Sequence, residues 1–86
     1  MTPAFLAALD AIPTGTSRGR YNDQTYVVSK TDFADGKSVK LVAEALGGTD
    51  YISLNVYLTR RQALLKPCEM TAAKVIAFVT GVKIEG

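Results

Sequence analysis

The sequence contains no histidine and no tryptophan, and it has a single cysteine among its 86 residues. The absence of histidine removes the commonest general base, the commonest metal ligand and the usual partner of a serine or cysteine nucleophile. One cysteine excludes an internal disulfide and is typical of a reducing compartment. The sequence therefore predicts a protein that is not an enzyme and that has no catalytic residues, no metal site and no cofactor.

Long apolar runs are also missing. The first residues lack the basic start and apolar run of a signal peptide, and no stretch approaches the roughly 20 apolar residues that span a bilayer. Apolar residues make up 48% of the chain and charged residues 21%, as in globular rather than disordered proteins. We therefore expect one small, soluble, cytoplasmic domain over residues 1 to 86, with no membrane partner.

An excess of charge of one sign is absent too, since ten Lys and Arg outnumber eight Asp and Glu by only two. Such a balance gives weak attraction to polyanions and no strong steering field. The acidic residues lie on separate predicted elements, without the pairing that acid/base catalysis uses or the close spacing that hard cations need. Cys68, near the start of a predicted helix and two residues from Lys66, leaves a thiol-dependent enzyme as a further hypothesis.

Apolar and polar residues alternate without interruption over residues 51 to 59. Successive side chains of a strand point to opposite faces, so this pattern predicts a β-strand with one wet face. The inward set is Ile52, Leu54, Val56 and Leu58, and the outward set is Tyr51, Ser53, Asn55, Tyr57 and Thr59.

A second predicted strand, over residues 38 to 46, precedes this one, and Gly47 and Gly48 supply the turn between them. If those glycines are the two loop residues, the register follows by counting outward from them. The inward pairs are Ala43 with Ile52, Leu41 with Leu54 and Val39 with Val56. The outward pairs are Glu44 with Tyr51, Val42 with Ser53, Lys40 with Asn55 and Ser38 with Tyr57. The two strands therefore agree independently on which face is open.

Residues 24 to 33 predict a further strand, which ends at a turn containing Asp35 and Gly36. A two-residue turn sends Tyr26 and Val28 inward. A three-residue turn with a bulge instead sends Tyr26 and Lys30 outward, onto the open face. We favour the two-residue turn, because it buries an aromatic ring and a valine rather than a row of threonine and serine.

Thr2 and Pro3 predict the start of a helix over residues 3 to 12, with threonine as N-cap and proline at the first helical position. Its apolar stripe is Phe5, Leu6, Leu9 and Ile12. Pro13 ends it. Residues 14 to 23 are rich in turn formers and show no periodicity, so they predict a loop.

Thr71 predicts a second helix, over residues 72 to 80, with Gly81 as a left-handed C-cap residue. Its inward stripe is Ala72, Val75, Ile76 and Val79, with Phe78 on the flank. Residues 62 to 66 predict a fourth strand or an extended segment, and residues 82 to 85 a short edge strand or a frayed end. The predicted fold class is α+β: a three- or four-stranded antiparallel β-meander with an N-terminal and a C-terminal helix packed on one face.

Binding is the function that remains. Single-stranded nucleic acid is held by aromatic rings that stack on bases and by Lys and Arg that follow the backbone. The candidate nucleic-acid-binding residues are Arg18, Arg20, Tyr21, Lys30, Lys40, Tyr51, Asn55, Tyr57, Arg60 and Arg61. We expect a non-enzymatic module that binds single-stranded nucleic acid on the open sheet face. The alternative is a small protein-interaction or homodimerisation domain that does not bind nucleic acid, since an open face or sheet edge also suits a protein partner.

The segment from Tyr26 to Phe33, followed by Gly36, Lys37 and an alternating strand, resembles the first hairpin of a known family. That family comprises the single-stranded-DNA-binding transcriptional coactivators of the positive-cofactor-four type. The order of a β-meander followed by one C-terminal helix is similar as well. For residues 24 to 80 the resemblance implies a sheet that binds single strands and a helix that builds a homodimer. It also implies that Lys30, Lys37 and Lys40 contact the nucleic-acid backbone.

Overall fold

The computed structural model describes residues 2 to 85. Over that range the fold is α+β, with two helices and a six-stranded antiparallel sheet. The elements are α1 (Pro3–Ala11), β1 (Gly15–Tyr21), β2 (Gln24–Phe33), β3 (Ser38–Ala45), β4 (Tyr51–Leu58), β5 (Ala63–Pro67), α2 (Ala72–Gly81) and β6 (Lys83–Ile84). The sheet order is β5-β4-β3-β2-β1-β6, so β1 to β5 form a meander and β6 returns beside β1.

The hairpin of β3 and β4 has the register that counting from its glycines predicts. Leu41 lies opposite Leu54 and Lys40 opposite Asn55, and the other five counted pairs are also confirmed. Gly47 and Gly48 have φ of 92° and 72°, a region where glycine avoids the strain that a Cβ would bring. The turn residues and the strand alternation therefore specify the same pairing.

The hairpin of β2 and β3 has the register of the favoured two-residue turn. Phe33 lies opposite Ser38, with a short helical turn over Ala34–Gly36 between the strands. Tyr26 and Val28 are therefore inward and almost fully buried. The bulged alternative, which would have exposed Tyr26 and Lys30, is wrong.

The loop predicted for residues 14 to 23 is wrong, because most of that segment is β1. It pairs with β2 from Gly15 to Tyr21, and its far edge pairs with β6. Asn22 and Asp23 both have positive φ, at 52° and 61°, and form the tight turn that joins β1 to β2. The sheet thus gains two strands at this edge, and three or four strands were too few.

Gly19 lies where the segment that follows α2 packs closely against β1. A Cβ at this position would lie 2.7 Å from Cγ2 of Val82, which is too close for any real contact. Glycine therefore lets the segment after α2 pack directly against β1, so the predicted edge strand in the tail is confirmed as β6.

Both helices begin where the capping residues predict. Oγ1 of Thr2 accepts a hydrogen bond from the backbone N–H of Phe5 at 3.2 Å, and Thr71 caps Lys74 in the same way. The left-handed cap predicted at Gly81 is wrong. Helix α2 continues through Gly81 and ends at Val82 in extended geometry, so the chain passes straight into β6.

One apolar core lies between the sheet and both helices, so the helices share one face of the sheet. Its fully buried members include Phe5, Tyr26, Leu41, Ile52, Leu54, Val75 and Phe78. Phe78 packs edge-on against Tyr26, with ring centroids 5.0 Å apart. The predicted stripe of α2 needs correction, because Phe78 lies in the core while Ala72 and Ile76 are exposed.

Two structural findings bear on membranes and metals. No helix within residues 2 to 85 has the length and apolar character that crossing a membrane requires. The same residues contain no group of three or more His, Cys, Asp or Glu side chains placed to share a metal ion.

Candidate nucleic-acid interface

The face of the sheet opposite the helices, called the open face below, carries the outward side chains of the strands. Lys40, Asn55 and Lys66 are aligned there as cross-strand partners on β3, β4 and β5. Both lysines are exposed, and the asparagine between them is half-buried. Two ammonium groups therefore flank one amide in a single row across the sheet.

The next row on the same side is aromatic and apolar. Tyr57 has Ser38 as its partner on β3 and Leu64 on β5, and Phe33 lies opposite Ser38 on β2. The exposed fractions of Tyr57 and Phe33 are 42% and 50%. We call the set Phe33, Lys40, Asn55, Tyr57 and Lys66 the basic aromatic corner.

Among the residues that the structure describes, the lysines of this corner have no partner of opposite charge. Within the described part of the chain the one ion pair joins Lys74 to Asp50, on the other side of the molecule. Lys40 has neutral cross-strand neighbours, Thr31 and Asn55. An exposed ammonium group without a carboxylate partner is available to a phosphate.

Arg60 and Arg61 lie at the same end of the sheet, in the turn between β4 and β5. The turn is closed by Thr59, whose hydroxyl accepts from the backbone N–H of Gln62 at 3.1 Å and donates to its carbonyl at 2.8 Å. Both arginines are exposed. The turn therefore adds two guanidinium groups at the end of the strands that carry the basic aromatic corner.

Two of the predicted binding residues lie on the covered face instead. Lys30 is only 6% exposed, and its ammonium group donates to the carbonyls of Leu9 and Ile12 at 2.8 and 2.9 Å. It satisfies the carbonyl end of α1, where a cation is also favoured by the helix dipole. Tyr21 is half-buried and packs edge-on against Phe78, with the ring centroids 5.2 Å apart. The expectation that these two side chains lie on the binding surface is corrected.

Three other candidates lie on the open face but away from the corner. Arg18 and Arg20 project from β1, two strands from Lys40. Tyr51 is 47% exposed at the opposite end of β4, beside Glu44. The ten predicted residues therefore divide among the corner and its turn, the far part of the open face, and the core.

Sequence reasoning missed Phe33, Lys66 and Lys83 as members of the open face. The strand of Lys66 gave no clear signal, because the three residues before it are all apolar and show no alternation. The pairing of Lys66 with Asn55 could not be counted without the length of the turn closed by Thr59. Lys83 needed β1 as a partner strand, and that strand was predicted as a loop.

The shifted pKa values belong to a structural link between the sheet and α2. The Tyr26 hydroxyl donates to a carboxylate oxygen of Asp50 at 2.7 Å, and the Lys74 ammonium donates to the other at 2.8 Å. Burial, followed by the Asp50 contact, raises the pKa of Tyr26 to about 12. The hydrogen bond from Lys74, followed by that from Tyr26, lowers the pKa of Asp50 below its ordinary value.

Cys68 lies beside the basic aromatic corner. The amide nitrogen of Asn55 donates to its sulfur at 3.7 Å, and its backbone N–H donates to the carbonyl of Ser53 at 3.0 Å. The thiol is half-buried. These contacts hold the end of β5 against β4 and help to fix the orientation of Asn55.

Comparison with known protein families, with curated proteins and with solved structures gives no match to this chain. The resemblance to the positive-cofactor-four family therefore stays a prediction. Function has to be argued from the geometry of the open face.

Proposed function

We propose that this protein is a non-enzymatic module that binds single-stranded nucleic acid at the basic aromatic corner. One observation carries the proposal: Lys40 and Lys66 flank Asn55 in one row, and the exposed ring of Tyr57 lies in the next row along β4. Rings that accept a stacked base and cations that accept its phosphates are the two parts that such a site needs.

The rigidity of the site supports the same proposal. Lys40, Asn55 and Tyr57 stand on the two strands whose pairing is specified by both turn and alternation. Their backbone positions are therefore fixed before a ligand arrives, which lowers the entropy lost on binding. Asn55 adds an amide that can donate to, or accept from, a base edge or a phosphate.

A labelled oligonucleotide without sequence bias, titrated at low salt, tests the proposal. We expect Tyr57→Ala to weaken binding between about 5-fold and 150-fold, because stacking contributes roughly 1 to 3 kcal/mol per base. Lys66→Gln should reduce the slope of log affinity against log salt by about 0.7, the value for one phosphate contact to a single strand.

Controls on the helix side of the molecule separate a local contact from a general effect. Ile76→Ala truncates an exposed apolar side chain on α2, and Lys74→Gln removes one positive charge there, so both should leave the affinity within about twofold of wild type. Thermal unfolding checks that each variant is folded. Failure of the wild-type protein to bind any single strand at low salt would refute the proposal.

One observation favours the alternative of a protein partner. Strand β5 is an edge of the sheet, so its outer backbone groups have no neighbouring strand within residues 2 to 85. An open edge can pair with the same edge of a second copy. A molecular mass that rises with protein concentration and that nucleic acid leaves unchanged would favour this homodimer.

A further inference from the structure

The open face carries a second group of cations, at the corner diagonally opposite the first. Arg20 on β1 and Lys83 on β6 are direct cross-strand partners. Arg18 is two residues before Arg20 on β1 and therefore points to the same face. All three are exposed. We call Arg18, Arg20 and Lys83 the edge cluster.

Direct pairing of two like charges disfavours this part of the sheet. Cross-strand neighbours of the same sign are destabilising, whereas opposite charges at such positions stabilise a sheet. Within residues 2 to 85 the Arg20 guanidinium makes one hydrogen bond, a long one of 3.4 Å to the hydroxyl of Thr25. Glu85 is close along the chain, but no carboxylate within residues 2 to 85 forms an ion pair with the three cations. An anion bound between Arg20 and Lys83 would remove the repulsion.

The two groups of cations are too far apart for one phosphate. With strands about 4.8 Å apart and residues about 3.3 Å apart along each strand, Arg18 lies about 16 Å from Lys40, and Arg20 about 28 Å from Lys66. The open face between them is neutral apart from Glu44, with small or apolar side chains such as Val27, Ser29 and Val42. A ligand that meets both groups must cross this strip.

We propose that the ligand of this protein is one continuous single strand that lies diagonally across the open face, with phosphates held at both the edge cluster and the basic aromatic corner. This inference rests on the proposed function. It adds a minimum length: even fully stacked, at about 3.4 Å per nucleotide, ten nucleotides reach about 30 Å, whereas three span only two such intervals and, even at roughly twice that rise, fall short of the distance of about 16 Å between Arg18 and Lys40. Contact with both groups then multiplies the affinity through effective concentration.

The test compares oligothymidylates of three and ten nucleotides on wild-type protein and on the triple variant Arg18→Gln, Arg20→Gln, Lys83→Gln. We expect wild type to bind the ten-mer at least tenfold more tightly than the three-mer. The triple variant should lose most of that gain and bind the three-mer as wild type does. With the ten-mer, the slope of its log affinity against log salt should fall by about 2, for three lost phosphate contacts.

A general loss of attraction weakens the ten-mer more than the three-mer, because the ten-mer carries more phosphates, so Lys74→Gln, on the helix side, measures the effect of one lost charge on each length. If the triple variant keeps the full gain from the longer strand, or if both lengths bind wild type equally, the inference is wrong while the proposed function stands. If neither oligonucleotide binds wild type, the proposed function fails and the inference fails with it. Folding of the variant is checked by its thermal unfolding, which removal of like charges should not impair.

Discussion

Two lysines on neighbouring strands of one sheet, Lys30 and Lys40, have opposite environments. Lys30 on β2 points to the covered face and donates to two carbonyls at the end of α1. Lys40 on β3 points to the open face, where it is exposed and no carboxylate among residues 2 to 85 pairs with it. Strand register alone decides which lysine stabilises the fold and which can meet a ligand. The covered and open faces should therefore respond differently to the same kind of substitution.

The largest difference is expected along β4, between the effects of truncating an inward and an outward side chain on the free energy of unfolding. Leu54→Ala removes a fully buried side chain and should lower the free energy of unfolding by about 2 to 5 kcal/mol. Tyr57→Ala, on the open face, should lower it by less than about 1 kcal/mol. Urea unfolding of both variants measures the contrast. Equal losses would mean that the open face is part of the core.

The two lysines give the next largest difference. Lys30→Met keeps the length of the side chain but leaves the carbonyl of Ile12 without the ammonium donor and that of Leu9 with only the Ile12 N–H, at a cost of about 1 to 3 kcal/mol in the free energy of unfolding. Lys40→Met should change it by less than about 0.5 kcal/mol. The same urea experiment checks this. A Lys40→Met variant as unstable as Lys30→Met would contradict the assigned faces.

The effect that is smallest at neutral pH is a dependence of the free energy of unfolding on alkaline pH. Because the pKa of Tyr26 is raised to about 12, its contribution to stability is complete below the unfolded pKa, near 10, and is lost as pH rises towards 12. Tyr26→Phe should therefore flatten the fall in unfolding free energy over this range. An unchanged fall in the Tyr26→Phe variant would contradict this role of the hydroxyl.

Acid acts on the other member of the same link. The pKa of Asp50 is lowered in the folded protein, so its contribution to stability is present above the unfolded pKa, near 3.9, and is lost as pH falls through the folded value. The covered side of the molecule thus has a titratable contact at each end of the pH range. Unfolding followed from pH 2 to pH 12 shows both.

Sequence predicted the parts of the fold in which two local signals agree. For β3 and β4, the alternation and the Gly47-Gly48 turn specify one register, and every counted pair is present. For α1, the cap at Thr2 and the spacing of Phe5 and Leu9 agree in the same way. These signals are local, so they need no knowledge of distant partners.

Strand β1 was missed because its signals conflict. The Gly and Ser content of β1 is typical of a loop, and only the Asn22-Asp23 turn, with both residues at positive φ, indicates a hairpin. The favoured turn between β2 and β3 already implies that Lys30 points inward, but its partners were unpredictable, because the carbonyls that it meets belong to α1 and come near only after folding. For the candidate site, the alternation of β3 and β4 predicted Lys40, Asn55 and Tyr57 together. Lys66 could be added only from the observed pairing of β5 with β4.

Mapping by NMR of the backbone amides that shift when a single-stranded oligonucleotide is added at low salt tests the central claim most directly. The proposal predicts that the largest shifts occur at Lys40, Asn55, Tyr57 and Lys66 and that the amides of α1 and α2, on the covered face, stay unchanged. Shifts confined to α1 and α2, or no shift at any concentration of oligonucleotide, would contradict it.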